Sequence, residues 1–101
     1  MLNSKQRNFL RSLAHHEPDI IHIGKEGITP NIVVQTKDAL KARELVKGKV
    51  QQNSLEEVKE VAESLATSTS AEIVCVIGNK FVLYKHNHTK PIIELPKSKG
   101  K

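Results

Sequence analysis

The chain has 101 residues, enough for one domain with a modest core and too few for two. A formal net charge of +5 and a pI near 9.5 point to a polyanionic partner, and no apolar run approaches the roughly 20 residues of a membrane span. The single cysteine, Cys75, excludes an internal disulfide and a multi-cysteine zinc site.

Along the chain the opening Met1-Leu2-Asn3-Ser4-Lys5 leads into a charged helix pattern rather than a secretory apolar stretch, so a cytoplasmic protein is expected. Residues 4–14 read as a helix with Phe9, Leu10, Leu13 and Ala14 as its apolar stripe and Lys5, Arg7 and Arg11 largely off it. His15-His16-Glu17-Pro18 ends that helix, because the residue before a proline avoids the helical region. Asp19 to Ile23 follows as a short strand. Thr29 then supplies an N-cap oxygen and Pro30 suits the first helical position. This second helix buries Ile32, Val33, Thr36, Ala39 and Leu40 and lasts to about Arg43.

Glu44 to Val50 is expected as a second strand, with Lys47 and Lys49 on one face by the two-residue period. Ser54-Leu55-Glu56-Glu57 has the form of a capping box. It would open a third helix that turns Leu55, Val58, Ala62 and Leu65 inward and Glu56, Glu57, Lys59, Glu60 and Glu63 outward. Two strands, Glu72 to Ile77 and Phe81 to Lys85, flank the hairpin signal Gly78-Asn79-Lys80. Residues 73–77 are apolar throughout, as in a central strand covered on both sides, and there Cys75 reads as a small buried hydrophobe. Pro91 to Pro96 is expected to dock as an extended piece, and Lys97 to Lys101 to form a flexible tail.

The order α-β-α-β-α-β-β implies an α/β fold of two layers, with helices on a mixed four-stranded sheet. Residues 1–96 would form the one domain and 97–101 the lysine-rich tail. Charge is unevenly spread. Residues 1–53 carry nine Lys/Arg against five Asp/Glu, residues 54–72 one against five, and residues 73–101 six against one. A merely soluble surface would intersperse the signs. A basic side and an acidic side are expected, with the acidic third helix turned away from a polyanion.

The stretch Gly24-Lys25-Glu26-Gly27 lies between the first strand and the second helix. Glycines there permit left-handed angles and close approach, and a helix N-terminus offers backbone donors to a phosphate. The same G-x-x-G device clamps the nucleic-acid backbone in KH domains. Walker A and dinucleotide patterns are absent. Alone, the motif equally suits a turn that uses glycine for geometry, and the Glu26 carboxylate would repel a phosphate.

The segments KQRNFLRSLAH, IGKEGIT, ELVKGKV and EIVCVIGNKFVLYK resemble the YhbY/CRM family (chloroplast RNA splicing and ribosome maturation) in order and spacing over residues 2–96. The resemblance implies a fold like the C-terminal domain of translation initiation factor three. It implies RNA binding through the glycine loop, and for bacterial stand-alone members association with precursors of the large ribosomal subunit. On this sequence the family loop matches Gly24, Lys25, Glu26 and Gly27, and its basic first helix matches Lys5, Arg7 and Arg11. Lys37, Lys41, Lys47 and Lys49 repeat the same polarity. Three positions depart from the pattern: Gly48 stands where a β-branched residue is expected and weakens the strand, Cys75 replaces a polar residue, and Lys85 replaces arginine.

The expected function is therefore recognition of ribosomal RNA by backbone and shape, by a monomer with no membrane, no small-molecule substrate and no cofactor. The competing reading is a protein-interaction module of the translation machinery whose basic surface meets an acidic partner. His86-Asn87-His88, together with His15-His16 and His22, invites a metal, but no acid or cysteine lies near the His86/His88 pair to complete a site. Solvated histidines after the last strand are expected, while His22 is expected either to line the approach to the glycine loop or to pack under it. Ser68, Ser70 and the glutamates of the third helix show no converging acid–base set, so no enzyme is expected.

Overall fold

In the computed structural model the described residues are 2–51, 57–87, 89 and 92–93. Seven elements follow in the expected order: α1 (Ser4–Ala14), β1 (Ile21–Ile23), α2 (Pro30–Arg43), β2 (Leu45–Val50), α3 (Val58–Thr69), β3 (Glu72–Ile77) and β4 (Lys80–Tyr84). They form one mixed sheet in the order β1-β2-β4-β3. β1 runs parallel to β2, and β4 is antiparallel to both β2 and β3.

Alternation along the strands builds two cores. Ile21, Ile23, Val46, Val50, Phe81 and Leu83 face one side, where α2 and α3 cover them with Leu40, Val61, Ala62 and Leu65. Leu45, Val74, Val82 and Tyr84 face the other, under Leu10 and Ala14 of α1. Helices thus lie on both faces, and α1 adds a third layer to the two expected. Phe9 is 36% exposed. Leu10, Leu13 and Ala14 at i, i+3 and i+4 fill the stripe against the sheet, which leaves Phe9 at its margin.

Local chemistry sets the helix ends. At α1 a capping box forms, with Gln6 N–H donating to Asn3 Oδ1 at 2.8 Å and Asn3 N–H donating to Gln6 Oε1 at 3.1 Å. Thr29 caps α2 as expected, its Oγ1 accepting from Ile32 N–H at 3.3 Å with Pro30 next in the chain. The capping box read at Ser54-Leu55-Glu56 and the tail 97–101 lie outside the described residues. α3 begins after Glu57, which makes no side-chain cap bond. Glu57, Lys59, Glu60 and Glu63 are exposed, on the outer side of the layer opposite α1.

Two strand expectations are corrected. β3 is an edge strand, not a central one, because the hairpin folds β4 back against β2. Its apolar run is explained by α1 on one face and α3 on the other, yet Ile77 at its end is 52% exposed. The turn is two residues, Gly78-Asn79, with positive φ (59°) at the glycine alone, as a type II′ hairpin requires. Gly48, expected to weaken β2, is buried beneath the Phe81 ring. A Cβ there would sit 2.7 and 2.8 Å from Phe81 Cε1 and Cε2. A β-branched side chain has no room, and the ring supplies the packing that glycine lacks.

Glu44 is the least expected residue of the core. It is fully buried, follows α2 with φ 63°, and its carboxylate grips the chain beyond β4. Oε2 accepts from Asn87 N–H at 2.6 Å, and Oε1 accepts from Ile92 N–H at 2.9 Å and Ile93 N–H at 2.6 Å. His86 Nδ1 lies 3.5 Å from Oε2. Burial works against the charged carboxylate, but these amides and His86 outweigh it and hold its pKa below the ordinary value. The expected docking of the C-terminal piece is seen at Ile92 and Ile93, with Ile93 packed on the α1-side core; the rest of 91–96 lies outside the described residues.

Candidate nucleic-acid interface

The glycine stretch is a β-turn closed by Gly27 N–H donating to the Gly24 carbonyl at 3.0 Å. Its two glycines do different work. Gly27 has φ 73° and is buried, so its backbone favours glycine. Gly24 has no positive φ, and a Cβ there would meet only Gln51 Oε1 at 3.7 Å, so its lack of a side chain keeps the approach open. Lys25 and Glu26 form the exposed corners. The row of free donors expected from the sequence is shorter than supposed. The Gly27 N–H closes the turn, the Ile32 N–H is taken by Thr29, and Pro30 has none.

Among the described residues, nothing covers the end of the α1 face of the sheet beside this turn. Strand register sets His22, Lys49, Lys80 and Ile77 in one row across β1, β2, β4 and β3. α1 stops short of this row and leaves a cleft of about 220 Å³, walled by Arg11, His15, Lys47 and Lys80 over Cys75 and Ile77. Burial pushes the Cys75 thiol above its ordinary pKa, against the pull of Arg11 and Lys47, so the group stays a neutral packing residue.

The cations here are not equivalent. Lys47 donates to the Ala14 carbonyl at 3.2 Å, where it ties the end of α1 to the sheet, and its Nζ lies 4.0 Å from Asp19 Oδ1. Lys80 pairs with Asp19 Oδ2 at 3.3 Å. Among the described residues no carboxylate pairs with Arg11, Lys25 or Lys49, so these three present uncompensated charge. Arg7 lies one turn before Arg11 on the same side of α1 and is half-buried; Lys5 is exposed in the first turn. His22 is exposed and its Nε2 sits 2.9 Å from the Asp19 carbonyl, which places it beside the turn rather than under it.

Two expected residues lie elsewhere. Lys37 and Lys41 project from the second half of α2, in the layer opposite α1, and line a separate cleft with Lys85 and His86. His86 is engaged by Glu44 and by the Tyr84 hydroxyl at 3.4 Å, and His88 lies outside the described residues. Sequence reasoning missed Lys80 and His15, which wall the cleft beside the basic row. Lys80 was legible only as a hairpin residue, since its place beside Lys49 depends on β4 pairing with β2.

A model of the CRS1/YhbY (CRM) domain matches residues 2–85. The chain is similar to a Bacillus subtilis protein named "Probable RNA-binding protein YqeI", 46% identical over 96 residues that span 95% of this chain and 100% of that one. A Haemophilus influenzae protein named as an RNA-binding protein is 32% identical, over 95% of this chain and 96% of its own. A solution structure from Staphylococcus aureus, described as a candidate RNA binder, superposes with a TM-score of 0.79 at 46% identity, covering 95% of this chain and all of that one. The matched region contains the glycine turn, all three helices and the whole sheet, and the chain belongs to the CRS1/YhbY (CRM) domain family.

Proposed function

We propose that this protein binds ribosomal RNA of large-subunit precursors and assists their assembly by holding RNA backbone, without catalysing a reaction. One observation carries this reading. The exposed turn Gly24-Lys25-Glu26-Gly27 stands at the same end of the sheet as the open row His22-Lys49-Lys80, with Arg11 at its margin. That surface offers backbone access at the turn and, in Arg11, Lys25 and Lys49, cations with no carboxylate partner among the described residues, while the exposed glutamates of α3 lie in the opposite layer. The names of its relatives support RNA as the polyanion, and the family resemblance supports the large-subunit precursor as its source.

Contacts to phosphates dominate such binding and make it fall with salt. Three aromatic residues, two of them buried, leave little for base stacking, so shape and backbone are read in preference to sequence. The decisive test is Gly24→Asp. That position has room and ordinary backbone angles, so the variant folds while it sets a carboxylate at the turn. Binding to precursor ribosomal RNA in a filter assay is expected to weaken by about tenfold or more at physiological salt. A folded Gly24→Asp protein that binds normally removes the turn from the interface. Loss of co-sedimentation with ribosomal particles after ribonuclease treatment is expected; its persistence would favour a protein partner.

A further inference from the structure

The cleft around Lys37 and Lys41 has a chemistry of its own. It occupies about 820 Å³ between the C-terminal halves of α2 and α3 and the chain after β4. Lys37 and Lys41 stand one turn apart on the exposed face of α2, with no carboxylate partner among the described residues. Ser68 and Ser70 offer hydroxyls at the end of α3, and Lys85 is fixed in the wall by its bond to the Thr69 carbonyl at 3.0 Å. The far wall is not loose. Asn87 is tied to the buried Glu44 carboxylate, and Thr89 N–H donates to Asn87 Oδ1 at 3.0 Å. Among the described residues the lining includes no carboxylate, and Leu40 is its one apolar side chain. A protein partner's contact centre would be depleted in charge and rich in apolar groups. Three lysines, one of them held in place, beside hydroxyls suit a phosphodiester.

This cleft and the glycine turn are far apart. It opens at the end of the sheet where β2 begins and β4 finishes, in the α2/α3 layer. The turn and the basic row stand at the end where β2 finishes, the row on the α1 side. The six residues of β2 separate them by about 17 Å along the strand. We infer that the Lys37/Lys41 cleft is a second RNA-backbone site that takes a different RNA segment from the one at the glycine turn, so that one protein molecule holds two segments together. The inference rests on the RNA reading above and adds a second contact to it.

The test uses the full chain and a short RNA hairpin, prepared in donor-labelled and acceptor-labelled batches. Native mass spectrometry counts hairpins per protein, and energy transfer reports their joint residence. Wild type is expected to carry two hairpins with transfer between them. In Lys37→Ala/Lys41→Ala, whose substitutions favour helix, the second step is expected to weaken by about tenfold or more at physiological salt, with transfer lost and the first step unchanged. Gly24→Asp is expected to keep the cleft's hairpin alone. Saturation of wild type at one hairpin, or two hairpins on the double-alanine variant, overturns the second site. Displacement of the cleft's hairpin by polyglutamate in preference to competitor RNA also overturns it. Two hairpins on Gly24→Asp, with one lost from the double-alanine variant, would remove the turn and leave the cleft standing.

Discussion

Replacing Glu44 by glutamine preserves the shape of a fully buried side chain and removes its charge. The glutamate has two acceptor oxygens, one for Ile92 and Ile93 and one for Asn87. Glutamine has one oxygen and one NH2. With its oxygen toward Ile92 and Ile93, the NH2 faces the Asn87 N–H; turned over, it faces the other two. The first arrangement is the better, and it still leaves one donor opposed by a donor. Orphaning a buried donor costs about 1–3 kcal/mol, and the remaining bonds lose their charge assistance. Because Ile92 is exposed and Asn87 and Ile93 are half-buried, their amides can turn to water, which caps the loss. The expected cost is about 2 kcal/mol, or roughly 10 °C in Tm for a domain of this size. Urea unfolding measures the first, and amide exchange at Asn87, Ile92 and Ile93 is expected to accelerate together. An unchanged urea midpoint with those three amides still protected would refute the clamp.

Acid should act through the same carboxylate. Its folded pKa lies below its ordinary value of 4.5, so its stabilisation is complete above 4.5 and is lost as pH falls through the lower folded value. A urea midpoint series into acid is expected to fall more steeply for wild type than for Glu44→Gln, and parallel curves would contradict this. Gly48→Val drives a branched side chain into the Phe81 ring and is expected to cost about 2 kcal/mol or more, recovered in part by adding Phe81→Leu; a stable single variant would show the ring moves freely. Lys47→Met removes the tie to the Ala14 carbonyl at a cost of about 1 kcal/mol and leaves the salt dependence of RNA binding unchanged. A shallower salt slope would instead make Lys47 an RNA contact. Gly27→Asp is strained at φ 73° and is expected to lose about 1 kcal/mol or more in urea unfolding, unlike Gly24→Asp; equal stability of the two would contradict the separate roles assigned to these glycines.

Local signals were legible in the sequence wherever the chemistry is local. Thr29-Pro30 marked the start of α2, a proline closed α1, and alternation put Lys47 and Lys49 on one face. Non-local pairing was not legible. Nothing in the run from Ile73 to Ile77 says whether β3 or β4 meets β2, so a strand covered on both faces read as central although it lies at the edge. Gly48 read as a defect because its compensating partner, Phe81, is 33 positions away in the chain. Lys47 and Lys49 looked alike two residues apart, yet one binds the end of α1 and the other remains uncompensated. For the candidate interface, periodicity and the glycine spacing singled out the turn and the basic first helix. Which cations gather round the turn depended on strand order, and that moved Lys37 and Lys41 away and brought Lys80 in.

An outermost strand of isoleucine, valine and cysteine is a template on which another molecule could add a fifth strand. The opposite rim, β1, is only three residues long, whereas β3 has six. The pairing of β3 with β4 slips between Ile73 and Cys75, and such a slip bends the strand and breaks the even spacing of its outward amides and carbonyls. The kink makes this rim a poorer template for a further strand than its apolar composition alone would suggest. Deleting Val74 would straighten that rim and drive the chains toward edge-to-edge aggregation.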